Sequence, residues 1–309
     1  MVQNGGYMSQ LAPAAVFAYR RADKIQSCLE ALEKNLGADK TAVFLYADGA
    51  KDENDRPDVE RTREFISRYA GRHKFADFTV CFRERNMGLA NSIITGVTEI
   101  MERYGRAIVV EDDLITSADF LSYMNGALSY YEKKKEIGEI SAFTHPLKGL
   151  KSYEHDVYMT RKAECWGWAT WKDRWELADW EMRSYAAFKR SRQDREFEKL
   201  QKGINNMLKQ QMEGKLDSWA VRWCYSLFVN DKLTVYPKVS RTRNIGFDGS
   251  GVHCGRTDRY DGEISTDIGG CRFELLDVDR RLEKEAAKFE YVSLFQKGVN
   301  YIKRLSHKR

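Results

Sequence analysis

The sequence predicts an α/β fold with a mostly parallel sheet and helices on both faces. Short, wholly apolar runs of strand length recur through the first half of the chain. Segments with apolar residues at helical spacing separate them. An acidic triplet closes the fourth such run. The β-α-β-α order is what favours parallel pairing, because a parallel partner needs a crossover long enough for a helix.

The elements follow in order. Ala14 to Tyr19 reads as a buried strand, followed by a helix with Ile25, Cys28, Leu29 and Leu32 on one face. Thr41 to Tyr46 is a second strand, ending at Asp48, and Val59, Thr62, Phe65, Ile66 and Tyr69 mark the next helix. Phe78 to Phe82 is a third strand, with Leu89, Ile93, Val97, Ile100 and Met101 on the helix behind it. Ala107 to Val110 is a fourth, running into Glu111, Asp112 and Asp113. Ser117 is expected to N-cap a helix through Phe120, Leu121, Met124, Leu128 and Tyr131. The second half is less regular, and periodicity describes its Trp-rich and Gly-rich stretches poorly.

Hydrophobic residues make up 42% of the 309, enough for a sizeable core and against global disorder. The six cysteines are scattered with no CxxC pair, which argues against a disulfide framework or a zinc site and for a reducing compartment. The N-terminus shows no basic stretch followed by an apolar run, so a cytoplasmic location is expected. The net charge of +5 lies wholly in residues 281–309, which hold eight Lys/Arg against three Glu. Val292, Phe295, Val299 and Ile302 recur there at helical spacing. That pattern suits either a helix packed on the domain or peripheral contact with the inner face of a membrane. No basic stripe with interleaved aromatics marks a nucleic-acid partner.

Ligands of parallel sheets bind beyond the carboxyl ends of the strands, where Tyr19, Asp48 and the triplet all fall. Three consecutive carboxylates there are costly without a cation. Their hard oxygens suit Mn²⁺ or Mg²⁺. Arg83, Arg85 and Asn86 precede a helix start that would hold phosphate as readily as it would form a plain basic loop. Trp166 and Trp168 flank Gly167, and indole faces stack well on sugar C–H surfaces. A purely structural Trp cluster is the rival reading, and Trp171 and Trp175 are expected in the core. No P-loop or Rossmann fingerprint is present, and AYRRADKI stands where a nucleotidyltransferase would carry its glycine-rich loop.

The segment IVVEDDLITSADFLSYM (108–124) resembles the metal-binding motif of GT-A-fold glycosyltransferases, in the N-acetylglucosaminyltransferase I type where EDD replaces DxD. EISAF (139–143), the Gly-Trp of CWGWATW (165–171), LDSW (216–219) and YPKVSRTRNIGFDGSGVHCG (236–255) resemble that family's later segments in the same order. The likeness spans roughly residues 13–255. It implies a GT-A, Rossmann-like domain over 13–268, with a nucleotide-binding half (13–135) and an irregular sugar and acceptor half (136–268). Residues 1–12 are then an N-terminal extension and 269–309 a basic amphipathic tail.

Carried over by position, the resemblance makes Asp113 the metal ligand and Glu111 and Asp112 the holders of ribose and sugar hydroxyls. Asp48 would read the uracil edge, with Tyr19 and Arg20 opening the nucleotide pocket. Trp168 completes the donor contacts that the resemblance implies, Arg85 joins them from the basic turn described above, and His253 is a candidate second metal ligand. Asp217 would be the general base, although the family's acidic pair before Trp is here Asp217-Ser218. The activity implied is inverting transfer of a hexosyl or N-acetylhexosaminyl group from a UDP-sugar to a glycan hydroxyl, lipid-linked glycans included. A retaining enzyme of the same fold, and an inactive sugar- or nucleotide-binding relative, are the alternatives.

Overall fold

A computed structural model describes residues 11–248, 257, 259–260, 262–268 and 270–290. The elements of the first half are β1 (Ala14–Ala18), α1 (Ala22–Glu33), β2 (Ala42–Ala47), α2 (Arg56–Ala70), β3 (Asp77–Phe82), α3 (Leu89–Tyr104), β4 (Arg106–Glu111), β5 (Leu114–Thr116) and α4 (Phe120–Tyr131). Then come β6 (Ile137–Ser141), β7 (Val157–Thr160), β8 (Trp168–Trp171), α5 (Lys172–Trp175), α6 (Tyr185–Arg190), α7 (Asp194–Glu198), α8 (Ile204–Met212) and α9 (Trp219–Val229). The last are β9 (Leu233–Pro237), β10 (Thr242–Asn244) and α10 (Arg280–Glu290).

Eight strands form one sheet in the order β3-β2-β1-β4-β8-β6-β9-β7. The neighbours β3, β2, β1 and β4 pair in parallel, as do β6 and β9. β8 is antiparallel to both β4 and β6, and β7 is antiparallel to β9. A separate ribbon joins β10 to β5 in antiparallel register.

The strands alternate between two cores, as the period-two geometry of a strand requires. Along β1, Ala14, Val16 and Ala18 face a core shared with α1, α2 and α4, whose members include Ile25, Ile66 and Leu128. Ala15 and Phe17 face the other, shared with α3, α8 and α9 through Ile93, Leu208 and Trp223. Both faces are thus covered, which explains why the strands read as continuous apolar runs.

One sequence expectation needs correction. Ser117 does not cap α4; the residue before that helix is Asp119, and Ser117 Oγ instead donates to Asp119 Oδ1 at 2.5 Å. Strands from both sides of residue 136 lie in the same eight-stranded sheet. The described part of the 269–309 segment packs on the domain. Leu282 has no exposed surface, and Glu283 pairs with Arg161 at 2.8 Å on β7's side of the domain. Tyr131 donates to the Glu274 carbonyl at 2.5 Å. Val292, Phe295, Val299 and Ile302 lie outside the described residues. Among the described residues no helix is long and apolar enough to cross a membrane.

Candidate functional site

The site gathers where β1, β2 and β4 end together, at the carboxyl edge of the sheet. β1 delivers Tyr19, Arg20 and Arg21, β2 delivers Asp48, and β4 delivers the triplet. Tyr19 and Arg20 are both tied to Asp55, at the start of α2. The Tyr19 hydroxyl donates to Asp55 Oδ2 at 2.5 Å and accepts from the Lys51 amide at 3.1 Å. Arg20 makes an ion pair with the other carboxylate oxygen. Burial and the Asp55 contact push the Tyr19 phenol up to about 12. Tyr19 and Arg20 therefore enter the site braced, through a partner the sequence did not single out.

Asp48 is buried and bonded to the turn ahead of α3. Its oxygens accept from the amides of Gly49 (3.0 Å), Met87 (2.8 Å) and Gly88 (3.0 Å). A carboxylate offers about four acceptor positions, so one remains for a ligand N–H. Arg85 sits in that turn with its side chain exposed.

Arg21 is the residue the sequence reading missed. Its guanidinium bonds Asp112 and reaches Asp113 Oδ2 at 3.0 Å. Even so, one positive charge faces three carboxylates. Burial, and then the charges of Asp113 and Asp112, raise the Glu111 carboxyl well above the usual range. Burial also raises Asp112, against the opposing pull of Arg21. The signal was available in the sequence, because a buried acidic triplet demands a cation and Arg21 adjoins Arg20 at the neighbouring strand end.

The loop after β10 closes on the triplet. The Ile245 amide donates to the Asp113 carbonyl at 2.8 Å, and Asn244 Nδ2 lies 3.4 Å from Asp113 Oδ1. A Cβ at position 246 would overlap Asp113 Oδ2, so a larger residue there would have to displace that carboxylate. The Asp113 carboxylate offers hard oxygens of the kind a divalent cation takes. Among the described residues no group of three or more His, Cys, Asp or Glu side chains is placed to hold a metal ion. His253 lies outside the described residues.

Next to the loop bonded to Asp113, whose Phe247 touches Trp166, is a cavity of about 240 Å³, walled by Trp166, Trp219, Trp223 and Tyr260 and carrying Glu164 and Lys162. Trp168 is not part of this wall. It has no exposed surface and stacks on Trp175 (5.7 Å) and Trp219 (5.2 Å). Of the three tryptophans in the wall, Trp166 is the one that is not buried, and it stands in T-shaped contact with Phe247 at 5.3 Å. Trp168, to which the resemblance gave a donor contact, is therefore sealed away from this cavity.

Asp217 stands two residues before Trp219, just outside α9. It does not cap that helix; Ser218 does, accepting from the Val221 amide at 3.3 Å. The Asp217 carboxylate is 57% exposed and pairs with Arg222 at 2.7 Å.

No protein-family model matches the chain, and no curated protein does. Among solved structures, it is similar to GalNAc-T7 crystallised with UDP, GalNAc and Mn²⁺, at 11% identity and a TM-score of 0.47. That match covers 76% of this chain and 43% of the other. It is similar also to TarS of S. aureus, at 15% identity and a TM-score of 0.30, over 42% of this chain and 21% of that one. The chain thus matches less than half the length of either, and neither likeness assigns a role to a residue here.

Proposed function

We propose that this protein is a glycosyltransferase that moves a sugar from a UDP-sugar to a hydroxyl of a glycan acceptor, with inversion. The observation that carries the reading is the acidic triplet at the end of β4, set beside the nucleotide-side residues of β1 and β2, with an aromatic cavity next to the loop bonded to Asp113. A nucleoside diphosphate has a carboxyl-edge crevice to occupy, and the sugar has an indole-lined one. Asp48 keeps one acceptor position for the base, while Tyr19 and Arg20 flank it. Glu111 and Asp112 face the ribose and sugar hydroxyls. A divalent cation bound by Asp113, with His253 as a second candidate ligand, would neutralise the charge that develops on the departing diphosphate. Asp217 accepts the proton of the attacking acceptor hydroxyl. The basic segment at the end of the chain suits an acceptor presented at a membrane surface, such as a lipid-linked glycan.

One observation favours a second reading, an inactive nucleotide-sugar binder: Arg21 already engages the Asp113 carboxylate a metal would use. Release of UDP from a panel of UDP-hexoses, with and without Mn²⁺, separates the two. The enzyme reading expects Mn²⁺-dependent turnover of at least one donor. Binding of UDP with no turnover of any, even with added glycan acceptors, would favour the inactive relative.

A further inference from the structure

Among the described residues, Glu164 is a charged side chain on the cavity wall with an unanswered oxygen. It is 6% exposed, and its Oε2 is buried without a hydrogen-bond partner. Its Oε1 accepts from the Cys165 amide at 2.9 Å. Lys162 Nζ lies 3.6 Å from Oε2, too far for a hydrogen bond, so it offsets the carboxylate by charge alone. A buried acceptor in this condition is unfavourable until something donates to it.

The residue is also held firmly. Glu139, on β6 and fully buried, accepts from the Glu164 amide at 2.8 Å and from Trp223 Nε1 at 2.5 Å. The backbone of Glu164 is thus anchored from the sheet beneath it, while the Cys165 amide fixes one carboxylate oxygen, as suits a recognition group. Beside it stands Trp166, half-exposed, with its ring against Phe247 and Tyr260. A carboxylate next to an indole face matches the two surfaces of a sugar ring, hydroxyls at the edge and C–H groups on the face. The cavity is below the roughly 300–1,000 Å³ of sites for drug-sized ligands, a scale suited to one ring.

We propose that Glu164 selects the hexose of the sugar donor, its Oε2 accepting a hydrogen bond from a ring hydroxyl while Trp166 covers the ring's apolar face. This rests on the UDP-sugar reading above. Two observations assign the cavity to the donor's sugar and not the acceptor's. Phe247, which touches Trp166, belongs to the loop bonded to Asp113. The Cys165 thiol, raised chiefly by burial, is raised further by the charges of both Glu164 and Glu111. Glu164 and the triplet therefore act on one small region.

The test compares wild type, Glu164→Gln and Glu164→Asp. Affinities for UDP, UDP-glucose, UDP-galactose, UDP-N-acetylglucosamine and UDP-N-acetylgalactosamine are measured with Mn²⁺, alongside melting temperatures. Gln keeps the side chain's shape, and Asp keeps the charge but shortens its reach, so a folded variant is available if either fails. Wild type should prefer one hexose over its C4 epimer by roughly tenfold or more, since the epimer turns its 4-hydroxyl away from the carboxylate and leaves that acceptor unpaired. The folded variants should bind UDP as wild type does and hold that preference to less than about threefold. A preference that survives in the variants, or a wild type that binds UDP but does not discriminate, overturns the assignment. If the variants change only the KM for a glycan acceptor, the cavity serves the acceptor and the proposal fails. A wild type that does not bind UDP refutes the UDP-sugar reading itself, and this inference falls with it.

Discussion

Asp217 carries its negative charge at the mouth of α9 without being needed to hold that helix. Ser218 supplies the cap. Its partner Arg222 also donates to the carbonyls of Ser218 (3.2 Å) and Trp180 (3.1 Å), so it stays satisfied if the carboxylate is neutralised. A half-exposed ion pair of this kind contributes little to stability. Asp217→Asn should therefore melt within a degree or so of wild type and bind UDP unchanged. Transfer should fall by roughly 10²–10⁴-fold, because an amide cannot take the acceptor's proton. Single-turnover transfer measured beside a melting curve checks this, and near-wild-type rates would place the base elsewhere. The alignment that put Asp217 two residues before Trp219 is legible in the sequence. Its exposure and its partner are not, because Arg222 comes into reach only once α9 has formed.

At the scale of the element, the segment around β8 shows what periodicity could not resolve. Trp166 and Trp168 are two residues apart, and on a regular strand they would share a face. Gly167 breaks the pleat with φ +82°, and β8 begins only at Trp168. One ring is thereby turned to the cavity and the other sealed among Trp175, Trp219 and Trp223. Trp168→Ala should cost about 3–5 kcal/mol of stability, as for other buried aromatic truncations. Trp166→Ala should cost much less and weaken UDP-hexose binding more than UDP binding. Denaturant melts with parallel titrations separate the two, and a reversed pattern would return the site role to Trp168. β8 itself was hidden in the sequence because it is four residues long and its two pairings, to β4 and β6, are both long-range.

Across the whole molecule, the parallel half was legible because each strand is buried on both faces and each helix shows one apolar stripe. The sequence therefore located the ends of β1, β2 and β4, and with them most of the candidate site. What it left out are the groups that answer those residues from a distance: Arg21 to the triplet, Asp55 to Tyr19 and Arg20, Glu139 to Glu164. Such partners follow from strand order and crossover geometry, which no local pattern encodes. The account's central claim is that this carboxyl edge binds a nucleoside diphosphate with help from a cation at Asp113. Calorimetric titration of UDP into wild type and Asp113→Ala, each with and without Mn²⁺, addresses it directly. Mn²⁺ should tighten UDP binding by about tenfold or more in wild type and have no such effect in the folded variant. An equal Mn²⁺ effect in both proteins, or no UDP binding by wild type, would contradict the claim.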